Sequence, residues 1–382
     1  MSTTSMLSSN ALAVKLWAKE DYLDMYKSTV FGRMLSSGTL HYATELNNAS
    51  KGDQITFAFN GILTGLGVGE GGTLVGNEEG LALSSDSMAI NVVRWAVNNP
   101  NDDTIEQQRT HVPFYKNARE LLKGWHKSRV EWSIFNQLAG ANSTTYQVDG
   151  TTYSTAATLP FVRGNNPIAA PTTNRILRPG GATTDQGLTS SDTLTLDMID
   201  AAIELTKRTY PTVEPLNRDG DESFDLYISW EQLTDLKRDT TGKIQWSQNY
   251  LSAMAGGMIK DNPIFTNTIG AKAVARYANV FIIPSTRIAY GVSSADSTIV
   301  TNVRRAVMVG KNAGAVGTVQ GGRLTDNTVP LIYKTQFQDY EYYKGIEARL
   351  IWGVTKLQGT SAGNTEDWGS IVLSTWAAPH SA

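Results

Sequence analysis

The sequence predicts an α+β fold, and three observations carry that reading. Segments of helical period and segments of strand character follow one another at irregular spacing, the order expected of helices packed beside mixed sheets rather than of a doubly wound sheet or a barrel. One stretch, Pro113 to Ala139, holds a long and regular helical pattern. No internal repeat is present, and 382 residues suffice to bury a large core and to divide into two or three subdomains.

The first element is a helical stretch from Asn10 to Ser37. Leu12, Leu16, Leu23, Tyr26, Val30 and Met34 fall at spacings of three, four or seven and form one stripe. Gly38 stands where a helix C-terminal glycine is expected. The Ser/Thr-rich leader before it has no period and is expected to be a flexible arm.

Two strands come next. Gln54 to Phe59 alternates in part, and Ile90 to Val97 is rich in β-branched and aromatic residues. The stretch between them is dominated by glycine, so the pair reads as a long hairpin with a mobile tip. The tip includes Gly65, Gly67, Gly69, Gly71 and Gly72. Gly67, Gly69 and Gly72 match the letters of a dinucleotide-binding fingerprint, but that site needs a helix to open directly after the glycines. Thr73 to Asn77 follows instead. The flexible loop is the reading that fits.

In the long helix, Phe114, Leu121 and Phe135 are separated by multiples of seven, as are Ala118, Trp125, Trp132 and Ala139. The two sets interleave into one seam, so Leu121, Trp125, Trp132 and Phe135 are the expected packing residues. Pro113 suits a first turn, Gly140 an end, and the helix should be about 40 Å long. His111 and His126 are fifteen apart with no ligand-spaced partner, which suits packing or surface positions better than a metal pair.

Ala141 to Ser191 is rich in Thr, Asn, Gly and Pro and reads as an extended connection with one short hairpin around Tyr146 to Tyr153. Neighbouring subunits could hold so long a segment in place. Leu196, Ile199, Ala202, Ile203 and Thr206 then mark an amphipathic helix ended by Tyr210-Pro211. Phe224 to Ser229 reads as a strand running into a helix, Trp230 to Arg238. Ala278 to Pro284, Arg304 to Val309, Leu331 to Phe337, Gly345 to Val354 and Ser370 to Trp376 read as further strands.

Charged residues are 18% of the chain, with Lys and Arg scattered and a net charge of −3. A surface poor in charge suits wide protein contacts, where unpaired charge is costly to desolvate; a β-rich extracellular domain shares the composition. The absence of a basic run argues against a dedicated nucleic-acid binder. There is no cysteine, hence no disulfide, thiolate metal site or cysteine nucleophile. No secretory signal and no run of about 20 apolar residues is visible, so the chain is expected to stay in the compartment where it is made.

No catalytic, cofactor-binding or metal-ligating residue emerges. His41, His111, His126 and His380 have no local context for a triad. There is no nucleophile elbow, phosphate loop or His-Glu-x-x-His pair. The acidic clusters at Asp102-Asp103, Asp219 to Glu222 and Asp339 to Glu341 read as solvated turns, with Asp102 and Asp103 at the start of a helix. Nine Trp are dispersed singly.

The second half holds an ordered series of motifs. Asp261-Asn262-Pro263-Ile264-Phe265, Ile269-Gly270 and Ala278 to Pro284 come first. Arg305 to Ala313, Asp339-Tyr340, Gly353 to Lys356 and Asp367 to Leu373 follow, and Arg175 to Leu188 and Leu196 to Pro215 lie upstream. The series resembles the major capsid protein family of podophages related to the coliphage N-four type, over nearly the whole chain. The resemblance implies the capsid fold shared by tailed phages and herpesvirus shell floors. Its parts would be an N-terminal arm (1–50), an extended hairpin loop (51–99), a peripheral domain with the spine helix and an irregular insertion (100–191), an axial domain (192–327) and return strands of the peripheral domain (328–382). It also implies self-assembly into the hexamers and pentamers of an icosahedral head formed in the host cytoplasm. Scaffold, portal and decoration proteins are the further partners it admits, with packaged DNA touched only weakly and without sequence preference, and no membrane. The readings of a different class are a β-rich hydrolase or carbohydrate-binding domain, and another virion structural protein.

Overall fold

The computed structural model describes residues 21, 29–43, 54–60, 63, 65–80, 83–100, 104–109, 113–154, 160–218, 220–239, 275–318, 331–361 and 364–380. In chain order the first elements are α1 (Val30–Ser36), β1 (Leu40–Ala43), β2 (Gln54–Asn60), β3 (Leu83–Ala89), β4 (Asn91–Pro100), α2 (Ile105–Arg109) and α3 (Phe114–Leu138). Then come β5 (Thr145–Val148), β6 (Thr151–Ser154), α4 (Pro160–Arg163), β7 (Ile176–Leu177), α5 (Leu196–Arg208), β8 (Leu216–Arg218), β9 (Asp221–Ile228) and α6 (Trp230–Arg238). The last are β10 (Ala275–Tyr277), β11 (Val280–Pro284), β12 (Tyr290–Val292), β13 (Ile299–Val309), β14 (Gly314–Thr318), β15 (Leu331–Gln338), β16 (Tyr343–Lys356), β17 (Gln358–Ser361), β18 (Asn364–Asp367) and β19 (Ser370–Trp376). Most of the arm helix expected from Asn10, and the Asp261–Gly270 motif, lie outside the described residues.

Two sheets organise the molecule. The larger runs β10-β11-β9-β13-β19-β7, with β8 on β9 and β12 on β13. The smaller runs β1-β14-β16-β15, with β4 on the other side of β16. The central strands of the larger sheet are apolar on both faces, as strands covered on both sides must be. Alternation divides them between two cores. Leu226, Ile228, Ala306, Met308, Ile371 and Leu373 turn toward α5 and α6. Tyr227, Val307 and Val309 turn toward α1 and α3, whose Phe135 ring meets Tyr227 edge-on at 5.6 Å.

Local chemistry explains the flanking helices. Thr195 caps α5 by accepting from the Met198 N–H, and Ser229 forms a reciprocal capping box with Gln232 at α6. α3 lies between the two sheets, and every residue from Val130 to Leu138 is buried. Its chain leaves through Gly140 at φ +57°, where a Cβ would stand 2.6 Å from Pro171 and 2.7 Å from the Ala169 carbonyl; only glycine fits that crossing.

Two expectations are corrected here. The strand that pairs with β2 is β3, in register Gln54↔Ala89 to Asn60↔Leu83. The apolar run from Ile90 belongs instead to β4, which pairs with β16. β3 reads Leu-Ser-Ser-Asp-Ser-Met-Ala, and its low apolar content hid it. The strands after Asn327 also do not return together. β15 and β16 join the smaller sheet, whereas β19 pairs with β13 from Val303↔Trp376 to Val309↔Ser370 in the larger one.

Candidate assembly surface

The hairpin β2–β3 has a built-in base and a bare tip. At the base, Ile55, Phe57 and Met88 are buried with Ala43, Ile90, Ala315 and Leu357 in a cluster of their own. The Asn166 amide clamps the end of β3. It accepts from the Ala89 N–H at 2.7 Å and donates to the Ala89 carbonyl at 2.9 Å and the Val354 carbonyl at 3.0 Å. At Gly353 a Cβ would lie 2.1 Å from the Ala89 carbonyl oxygen, so a side chain there would push the hairpin off the sheet.

Every described residue from 63 to 80 is exposed. Leu66, Leu74 and Val75 show 104%, 68% and 84% of their surface to solvent. Local polar contacts shape this tip: the Gly65 N–H donates to Glu79 at 2.6 Å and the Gly76 N–H to Glu78 at 2.7 Å. Apolar side chains in water are the mark of a surface that another molecule covers.

A second surface is the open face of β4, β16 and β15, which forms a groove of about 700 Å³ lined by Arg94, Asn98, Lys334, Gln336, Glu347 and Arg349 among others. Beside it, on the opposite face of β4, Trp95 stacks on Trp125 of α3 with ring centres 5.4 Å apart, and remains 55% exposed.

Buried ion pairs tie the elements together. Asp225, fully buried, accepts two hydrogen bonds from Arg33 of α1 and two from Arg218 of β8. Burial lowers the Arg33 pKa, but its pairing with Asp225 outweighs that and raises it. Asp185 accepts from Arg178, Arg305 and the Val292 N–H. Burial raises its pKa, and these partners, Arg305 foremost, hold it below the ordinary carboxylate value. Lys356 and Asp367 pair at 2.9 Å with no exposure on either side. His126 is buried with Nε2 on the Ala348 carbonyl and Nδ1 without a partner; burial pushes its pKa down to about 4. No cluster of His, Cys, Asp or Glu able to hold a metal ion is found among the described residues. No helix among them is long and apolar enough to cross a membrane.

Residues 3–379 match the family described as phage capsid protein. The chain belongs to that family. It is similar to the major capsid protein of Pseudomonas phage KPP25, with 26% identity over 373 residues that cover 92% of this chain and 89% of the other. In structure this capsid-family chain is similar to the capsid of Ralstonia phage GP4, at TM-score 0.72 and 20% identity with both chains covered completely. It is also similar to the capsid of cyanophage Pam1, at TM-score 0.62 and 17% identity over 89% of each chain. The capsid fold is therefore the fold of this chain.

Within this capsid-family chain the expected residues fall in different settings. Gly65, Gly67, Gly69, Gly71 and Gly72 lie together in the exposed tip. Trp132 and Phe135 are buried at 6% and 1%, and Trp125 packs at the edge of the core. Leu121 corrects the expected seam: it is 68% exposed, and Leu122 is the packed leucine at 1%. A seven-residue seam assumes 3.5 residues per turn, whereas a straight helix drifts away from that period. Here the buried stripe steps by four, through Ala118, Leu122, His126, Val130, Ile134 and Leu138. Asn166 and the buried ion pairs escaped sequence reading. One signal was available for Asp225, a carboxylate inside the apolar strand Phe224–Ile228, where an unpaired charge is not tolerated.

Proposed function

We propose that this chain is the major capsid protein of a tailed phage, of the podophage group related to the coliphage N-four type, and that copies of it tile an icosahedral head as hexamers and pentamers. One observation carries the reading: a chain with the capsid fold exposes a hairpin tip in which every described residue from 63 to 80 faces solvent, leucines and valines included. A subunit that folded only for itself would not keep that surface. In this reading 1–50 is the arm and 51–99 the extended loop laid over a neighbour. α3 is the spine of the peripheral domain, and strands β8 to β13 of the larger sheet, with α5 and α6, belong to the axial domain (192–327). Gly65 to Gly72 supply the bending that lets one sequence occupy slightly different positions around hexamers and pentamers. Trp125, Trp132 and Phe135 keep the spine rigid. The shell encloses DNA, assembles in the host cytoplasm, and admits scaffold, portal and decoration proteins as further partners.

Negative-stain electron microscopy of the purified full chain tests this. Closed, curved shells are the expected product. A chain that stays monomeric at every concentration, or forms only flat rings and straight tubes, would sink the proposal.

A further inference from the structure

Strand alternation puts Arg94, Ala96 and Asn98 of β4, Gly345, Glu347 and Arg349 of β16, and Lys334, Gln336 and Gln338 of β15 on one open face. The registers Arg94↔Arg349 and Lys334↔Glu347 set two cations directly across a strand pair and a third next to the lone carboxylate. Like charges in opposition are unfavourable unless something negative covers them. Arg349 donates to Glu347 at 2.7 Å. Arg94 and Lys334 have no ion-pair partner among the described residues. The face therefore calls for an anionic partner; of the apolar residues that line its groove, Ala96 shares the face with the cations, while Val97 and Ile346 turn toward the core.

The exposed tip has the complementary composition. Residues 63–80 contain Glu70, Glu78 and Glu79, no Lys or Arg, and the exposed side chains Leu63, Leu66, Val68, Leu74 and Val75. We propose that the tip of one subunit seats in the β4–β16–β15 groove of a second copy of the chain, its glutamates facing Arg94 and Lys334. The inference rests on the shell reading above and adds to it the receiving surface. Tip and groove are different patches of one chain, so the contact is head-to-tail, the kind that closes into rings when the rotation permits. Packaged nucleic acid is a poorer occupant. A duplex presents a charge about every 1.7 Å, and this face meets it with few free cations and a carboxylate.

The test uses the full chain under conditions where the unaltered protein forms shells. A photo-crosslinking residue, Leu66→benzoylphenylalanine, should join position 66 of one chain to a peptide within 91–100 or 331–350 of another. Reversing the tip (Glu70→Lys with Glu78→Lys) or the groove (Arg94→Glu with Lys334→Glu) should each lower the assembled fraction about tenfold through like-charge contact. Both reversals in one chain should restore most of it. All these positions are on the surface, so melting curves of the variants should overlay that of the unaltered chain. Crosslinks that map elsewhere, or a combined variant no better than its parents, overturn the docking while leaving the shell reading intact. Groove-reversed chains that assemble normally but lose a DNA affinity possessed by unaltered shells would make the groove a nucleic-acid face and overturn it too. An unaltered chain that never forms shells fails the shell reading itself, and this inference with it.

Discussion

The centre of the larger sheet and the hairpin tip are opposites built from similar residue types. In the sheet, Val307, Met308, Val309, Ile371, Val372 and Leu373 have 0–1% exposure, and alternate residues supply two cores. In the tip, leucines and valines stand in solvent. Burial stabilises by roughly 25 cal/mol per Å² of apolar surface, so the sheet carries folding free energy and the tip contributes almost none until something covers it. Within one chain, folding and contact are thus assigned to separate segments, and Asn166 stands at the joint between them.

The largest effect should come from the side of the comparison where burial is complete. Phe135→Ala removes a ring that touches Tyr227 across the layer between helix and sheet, and a truncation of this kind costs about 3–5 kcal/mol. Trp132→Ala should fall in the same range. Denaturant unfolding of the subunit measures both; losses below about 1 kcal/mol would mean that these side chains are not buried in solution.

A smaller and pH-dependent effect belongs to His126. Its folded pKa of about 4 lies below the ordinary 6.5, so between those values the unfolded chain binds the extra proton. Stability is then full above pH 6.5, declines as pH falls toward 4, and levels off below. The total is on the order of 3 kcal/mol from 1.36 kcal/mol per pKa unit. His126→Gln, able to keep the bond to the Ala348 carbonyl, should show a flatter loss of stability between pH 7 and pH 4. An unchanged slope would assign the acid sensitivity to other groups.

The joint comes next. Asn166→Ala strips the Ala89 amide and carbonyl of their partners, and buried backbone groups left unpaired cost about 1–3 kcal/mol. Hydrogen exchange should quicken at β2 and β3 while the larger sheet stays protected. Uniform acceleration across the molecule would mean that the hairpin base is part of the global core.

What could be read from sequence follows the same division. Elements with both a cap and an apolar pattern were legible nearly to the residue. The helix Trp230–Arg238 and, from its apolar pattern, the strand Ser370–Trp376 are examples, while the strand before Ser229 begins three residues earlier than expected, at Asp221. The glycine-rich tip was legible from composition alone. β3 was not, because its partner and the Asn166 clamp, rather than its own side chains, hold it in place. The phase of α3 was misjudged at Leu121 because a seven-residue seam holds only for a supercoiled helix, whereas the buried positions here step by four through Ala118, Leu122 and His126. The pairs Arg33–Asp225 and Arg305–Asp185 join positions 192 and 120 residues apart, a separation no local pattern encodes.

The smallest effect on the subunit should accompany the largest effect on the shell. Residues Leu63 to Gly76 contain six glycines, and ordering such backbone costs roughly 1–2 kcal/mol per residue. Within its own subunit the described residues of this segment bury nothing that would offset that cost. Replacing Gly65 to Gly72 with a short turn should therefore leave the melting temperature within about 2 °C of the unaltered chain, since less than 1 kcal/mol is at stake in a protein of this size. Sedimentation of the same variant should show shells lost or misshapen, because the leucines that would lie on a neighbour are displaced. Hydrogen exchange separates the two states directly. Exchange at 65–76 should be fast in free subunits and slowed in assembled particles, while β13 and β19 are protected in both. Equal protection of 65–76 before and after assembly would place the tip within the fold of the single subunit and dissolve the contrast between the two regions.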